Sequence, residues 1–288
     1  SLRFGVSAVK TNRLQEAIKG FLLARKIKPE HFEVSYNLGY ICYLQKEYEK
    51  AIPFLKQALI TDGENVLAQR YMGFSLHKAH RYRDALSYLK KALDLQPDDK
   101  EALFAMAECL FESGAVERAL KIFTHLRPDP ALGPQSALYS GIIHAQTNQN
   151  DKAIVDYDQA IRLQPRANFL TNRGDAYQFK NELGSALNDY DAALRLDPAF
   201  ALAYNNRAVL FKKMNERAKA LADYEAALKL DPGNENAANG RRIMIAEIRD
   251  PATMTSAISY ALSAHLVLAT LHANNSYHAL GRILSFYT

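Results

Sequence analysis

The spacing of prolines most constrains what this sequence can fold into. Pro29, Pro97, Pro165, Pro198 and Pro232 each close a segment that reads as an amphipathic helix, as in AALRLDP and AALKLDP. Proline cannot continue a helix and drives its predecessor towards extended geometry, so each marks a helix end. Counted from these stops, 34-residue segments begin at Phe32, Val66, Lys100, Pro134, Ala167 and Ala201, with a single segment of 33 after Pro134. An incomplete first segment covers residues 1–31. A strict period of this length describes one supersecondary unit written repeatedly.

Small residues recur at two places in every segment. One series is Gly5, Gly39, Gly73, Ala107, Gly141, Gly174 and Ala208; the other is Ala17, Ala51, Ala85, Ala119, Ala153, Ala186 and Ala220. Two helices must approach closely there, since overpacking typically costs about 1–3 kcal/mol. Bulky Phe21, Leu55, Leu89, Phe123, Tyr157, Tyr190 and Tyr224 are expected to fill the space between neighbouring repeats. The prediction is an all-α solenoid of about seven helix–turn–helix units, over 1–31, 32–65, 66–99, 100–133, 134–166, 167–200 and 201–234. Residues 235–249 read as a capping helix and 250–288 as a tail of another character.

These residues resemble the tetratricopeptide repeat (TPR) family over residues 1–234. The family's first-helix tryptophan is replaced, for example by Ser35, Leu103, Leu170 and Tyr204. In the fourth segment HLRPDPALG brings Pro128 early, so a shortened second helix is expected. The resemblance implies a right-handed superhelix whose first helices line a concave groove for a protein or peptide partner. Carried onto this sequence, the groove is aromatic in its first half. Repeat two supplies Glu33, Tyr36, Asn37, Tyr40 and Tyr43; repeat three Arg70, Tyr71, Phe74, His77 and Lys78. Repeat four supplies Glu101, Phe104, Glu108 and Phe111, and repeat five Leu138, Tyr139 and Ile142. Later repeats turn polar, with Asn168, Asn172, Asp175, Asn206, Lys212 and Lys213. Aromatic rings suit an apolar peptide or partner helix, and Asn37, Asn172 and Asn206 suit an extended backbone. The lysine–asparagine–arginine clamp for a C-terminal carboxylate is not matched: Thr171 and Asp175 stand where repeat six would need a lysine and an asparagine.

Enzymatic chemistry is not expected, and no cofactor or metal with it. The pairs Asp156/Asp158 and Asp189/Asp191 lie two apart, so on a helix they diverge; they are expected to be solvated around a core tyrosine. His77 and His80 have no third ligand nearby, and His80 falls at the inter-helix turn. No GxxxxGK[ST] or GxGxxG occurs. The net charge of +5 is spread among alternating acids and bases, which argues against nucleic acid as a partner. No run of about 18 apolar residues exists to span a membrane. Cys42 and Cys109 lie inside predicted helices and read as buried apolar residues. Low cysteine use and the lack of a secretory signal pattern point to the cytoplasm, or to the periplasm if a signal has been removed.

From Pro251 onwards Arg282 is the sole Lys, Arg, Asp or Glu, yet three of the eight histidines lie there. The string from Ile243 to Tyr287 resembles part of the retraction ATPases of type IV pili and related secretion ATPases. That resemblance aligns IMIAEIRD with a Walker B strand, Glu247 with the catalytic acid, and AHLVLATLHANN with a histidine box containing His265 and His272. Ala246 and Ala264 stand where the family has glycine. The phosphate-binding loop is missing from this sequence, so ATP hydrolysis by this chain alone is not expected. A junction is placed near Gly240 to Ile243. The alternative functions are therefore a component or fused remnant of a pilus or secretion motor, or a cell-envelope TPR protein of pilus biogenesis.

Overall fold

A computed structural model describes residues 14–28 and 30–249. Among them every regular element is an α-helix. The chain divides into two compact units, residues 1–180 and 181–288. The first holds α1 (Leu14–Ile27), α2 (Phe32–Leu44), α3 (Tyr48–Thr61), α4 (Val66–Lys78), α5 (Tyr82–Leu95), α6 (Lys100–Glu112), α7 (Val116–Leu126), α8 (Gly133–Gln146), α9 (Asn150–Leu163) and α10 (Ala167–Phe179). The second holds α11 (Leu183–Leu196), α12 (Ala201–Lys213), α13 (Arg217–Leu230) and α14 (Glu235–Arg249).

Each helix end has a local cause. Gln96, Gln164, Asp197 and Asp231 follow second helices and precede proline; all four are extended, at φ/ψ −136/84, −153/104, −139/92 and −133/88°. Proline forbids them helical geometry. Between the helices of a pair, Lys46, His80, Gly114, Asn148, Asn181 and Asn215 adopt left-handed backbone, with φ of 59–85°. They recur at the period of the repeat. The next residue's amide then reaches back past the turn, as in Glu47 to the Cys42 carbonyl (2.9 Å) and Arg81 to that of Leu76 (2.8 Å). That bond satisfies a carbonyl the helix end would otherwise orphan. Helix starts are capped where the sequence allows: Asn65, Asp99 and Asn234 accept from the amides of Ala68, Ala102 and Ala237 at 3.0–3.1 Å.

Packing explains the small residues. A Cβ on Gly39 or Gly73 would stand 2.6 Å from Cγ of Leu55 or Leu89, and on Gly141 2.4 Å from Cε1 of Tyr157. The bulky series, at Leu55, Leu89 and Tyr157, therefore fills the seam within a pair, against that pair's own first helix. It also reaches the next pair in places, since Phe123 stacks on Tyr139 with centroids 4.7 Å apart and planes within 3°. Tyr157, Tyr190, Phe21 and Phe123 are fully buried. Cys42 and Cys109 are buried free thiols, and burial pushes Cys109 up to about 12.

The fourth pair departs as Pro128 requires. Helix α7 has 11 residues where α3, α5, α9, α11 and α13 have 14. Asp129 organises the turn that follows, accepting from Ala131 and Leu132 at 2.9 Å and pairing with Lys100 at 2.9 Å. Arg127, beside it, reaches Asp156 of α9 at 2.6 Å.

The paired acids are not alike: one of each pair is buried rather than solvated, while Asp158 and Asp191 keep side-chain exposures of 40% and 38%. Asp156, Asp189 and Asp223 are 3%, 5% and 6% exposed. Asp156 is shared by Arg127 and by His144 Nδ1, at 2.6 Å. Arg207 spans Asp223 (2.7 Å) and Asp191 (2.6 Å) within the second unit. Arg173 takes Asp158 at 2.6 Å within the first. The acids diverge as helical geometry demands, but Asp156, Asp158, Asp191 and Asp223 each meet an arginine from outside their own helix.

In the second unit α14 packs on α12 and α13. Gly240 lies flat on the Tyr224 ring, where a Cβ would be 2.3 Å from Cζ, and Ala237 and Met244 are fully buried. Residues 243–249, which the ATPase resemblance aligns with a strand, are the last turns of this helix. Glu247 meets Arg217 at 3.3 Å. An apolar period of three to four (Ala237, Gly240, Met244) with a polar outer face is a helical pattern, and it decides the local structure. His265 and His272 lie outside the described residues.

Candidate functional site

First helices of successive pairs lie side by side, α2 with α4, α4 with α6, and α8 with α10. Residues four apart on one helix share a face, so Phe32, Tyr36 and Tyr40 form a strip along α2. Their rings stack in parallel, with centroids 5.7 and 6.2 Å apart and planes within 6° and 1°. Tyr71 of α4 joins the strip at 4.7 Å from Tyr40 and 5.2 Å from Tyr43. Tyr36, Tyr40, Tyr43 and Tyr71 are half-buried. Burial pushes the Tyr36 phenol up to about 12, with Tyr40 adding and Arg70 opposing, and it pushes Tyr43 and Tyr71 up as well. The hydroxyls of Tyr36, Tyr43 and Tyr71 stay protonated at neutral pH and can donate.

Phe74 sits deeper, 8% exposed, between Tyr43, Tyr71 and the Arg70 guanidinium, which lies 5.0 Å from its centroid. Arg70 is held by Asp99 at 2.7 Å and by Glu101. Its charge is therefore satisfied within the chain. Asn37 donates its side-chain amide to the Glu33 carbonyl at 2.6 Å, and Asn172 does the same to Asn168 at 2.7 Å. Asn206 accepts from Asn205 at 3.1 Å.

A second aromatic group lies further along. Phe104 and Phe111 meet Tyr139 edge-on at 6.0 and 5.7 Å. The Tyr139 hydroxyl donates to Glu108 at 2.8 Å, and His77 Nε2 lies 3.3 Å from the same carboxylate. His77, 8% exposed, is held down to about 4 by burial, with Lys78 and His80 adding to the effect. It is thus neutral at pH 7, and its contact with Glu108 is a polar one and not an ion pair. Burial raises the Glu108 carboxyl, against the Tyr139 hydrogen bond and Lys78. Glu108, Glu112, Tyr82 and Tyr139 line a small open cleft with His77, Lys78 and His80. Sequence spacing named His77 and Glu108 separately; that they meet was hidden because they come from different pairs.

Among the described residues no group of three His, Cys, Asp or Glu could hold a metal ion, and no helix is long and apolar enough to cross a membrane.

Residues 2–65, 76–140, 140–166 and 201–234 match family models described as tetratricopeptide repeat, and 174–215 one described as TPR repeat. Residues 239–288 match the model of a type II/IV secretion system protein. A peptide N-acetylglucosaminyltransferase of Giardia intestinalis is 29% identical over 97 residues, 34% of this chain and 7% of that protein. The type IV pilus ATPase PilU of Pseudomonas aeruginosa is 53% identical over 41 residues, 14% of this chain and 11% of PilU. The chain thus spans only a small part of the length of these curated relatives. In fold, a crystal structure of a tetratricopeptide repeat protein from Parabacteroides merdae superposes with a TM-score of 0.64 at 17% identity, covering 84% of this chain and 96% of that one. With the helix pairs, their small-on-large seams and these matches in agreement, the chain from residue 2 to residue 234 belongs to the tetratricopeptide repeat family.

Proposed function

We propose that this chain is a non-enzymatic scaffold that binds a segment of a partner protein along its first-helix face. The carrying observation is the unbroken strip of half-buried rings from Phe32 through Tyr36 and Tyr40 to Tyr71 and Tyr43. Tyrosine offers a large contact area at low entropic cost, with a hydroxyl for a partner's carbonyls. Phe104 and Phe111 extend the face, while Phe74, Arg70 and His77 brace it from beneath. Asn37, Asn172 and Asn206 serve as polar contacts for backbone. Random-peptide display on the full chain tests this. Enriched peptides should lose at least tenfold affinity on Tyr36→Ala/Tyr40→Ala, with an unchanged helical circular dichroism signal. Equal affinity for the double variant rejects the face.

A second reading, a component or remnant of a pilus or secretion motor, is favoured by the match of residues 239–288. It requires nucleotide binding that Glu247→Gln abolishes. Isothermal titration with ATP and magnesium discriminates, and the scaffold reading expects no heat of binding.

A further inference from the structure

We propose that the cleft between α4, α6 and α8 receives a cationic side chain, arginine or lysine, from the bound segment. The proposal rests on the scaffold reading above and names the chemistry of its partner. Glu108 is the centre of the argument. Its side chain is 17% exposed, and the groups that touch it are the Tyr139 hydroxyl at 2.8 Å and His77 Nε2 at 3.3 Å. Both are neutral at pH 7, His77 because burial holds it down to about 4. A carboxylate taken out of water is expensive unless it is paired, and a hydrogen-bonded charge still lacks its counter-ion. Among the described residues of the first unit, the two buried acids each have a cation on them: Asp156 has Arg127, and Asp99 has Arg70. Glu108 does not.

The surroundings fit the missing group. Glu112 adds a second, exposed carboxylate at the rim, and the Tyr82 and Tyr139 rings form part of the wall. Carboxylate plus aromatic walls is the combination that recognises a guanidinium or ammonium. Lys78 is the opposing charge; it is exposed and acts on Glu108 through its field, without an ion pair to either carboxylate. Arg70, the other cation of this face, is spent on Asp99 and Glu101. The balance of the cleft is acidic in a chain whose net charge is +5.

The test is a display selection on the full chain, followed by affinity measurements on wild type, Glu108→Gln and Tyr36→Ala/Tyr40→Ala. Enriched peptides should share one basic position. Replacing that residue by norleucine, or the protein's Glu108 by glutamine, should each weaken binding about tenfold, and the two together no further. Glu108→Gln should leave the melting temperature unchanged or raised, because it removes an uncompensated charge. Peptides that depend on Tyr36 and Tyr40 but share no basic residue, or that bind Glu108→Gln equally well, overturn the cation site and leave the scaffold reading standing. If no peptide depends on the tyrosines, both fall.

Discussion

Gly141 and Tyr157 are packed so closely that the missing methyl is part of their fit: a Cβ at residue 141 would lie 2.4 Å from Cε1 of the tyrosine. Tyr157 is 1% exposed and cannot swing into water. Gly141→Ala should therefore cost about 1–3 kcal/mol, read as an earlier urea midpoint. Gly184→Ala is the control, since nothing lies within 4 Å of the added carbon in α11. It should be neutral, or stabilising by up to about 1 kcal/mol, because alanine favours helix over glycine.

Asp156 and Asp158 sit one residue apart from a common tyrosine and should differ sharply. Asp156, 4% exposed in its side chain, holds both Arg127 and His144. Asp156→Ala leaves a largely buried guanidinium without its partner and should cost about 3 kcal/mol. Asp158, 40% exposed in its pair with Arg173, should cost less than about 1 kcal/mol on removal. Thermal unfolding of the two variants measures the gap.

His77 should make the chain acid-sensitive above the range in which ordinary carboxylates titrate. Its imidazole is held down to about 4, mainly by burial, from an unfolded value near 6.5. Between those values the unfolded chain binds the proton and the folded one does not, so stability falls as pH drops from about 6.5 towards 4. The contribution is about 2 kcal/mol, from a shift of roughly 2.5 units at about 1.36 kcal/mol each, discounted for partial solvent access. Carboxylates begin to titrate in the lower part of this window, so the difference between wild type and His77→Gln isolates it. Urea midpoints at pH 7 and 5 should diverge less in the variant.

Lys46 holds φ at 61°, a conformation that costs a residue with a Cβ roughly 1–2 kcal/mol. Lys46→Gly should raise stability by about 0.5–1 kcal/mol, after the greater chain entropy of glycine is subtracted. A rise in melting temperature checks it; a fall would mean that the lysine side chain contributes more than its backbone costs.

The parts of this fold that were legible in the sequence are those where one steric demand returns in every repeat. Gly39, Gly73 and Gly141 are small for a single reason, and Pro97, Pro165, Pro198 and Pro232 each follow a helix end, although Pro53 is accommodated inside α3. The left-handed turn was not legible, because lysine, histidine, glycine and asparagine all occupy it and no residue type marks it. The burial of Asp156 was hidden for another reason: Arg127 lies 29 residues away, and an isolated acid on a helix reads as a surface charge. Residues 243–249 carried two readings, a helix from their own pattern and a strand from the ATPase resemblance, and they are helical. In the candidate site, Tyr36 and Tyr40 were visible as neighbours on one helix face. The meeting of His77, Glu108 and Tyr139 needed three helices to be placed in space.

The seating of α14 on Tyr224 bears on how many molecules travel together. A stack of helix pairs has a sticky end, because each pair presents to its successor the surface its predecessor covers. Gly240, Ala237 and Met244 occupy that surface, while Ala238, Asn239, Arg241 and Arg242 turn outward. A chain cut after Asn234 would bare Tyr224 and Ala227, and that end would be expected to take part in association with other copies. The helix is expected to act as a stopper against polymerisation, and light scattering of the two lengths should register its removal as growth in mass with concentration.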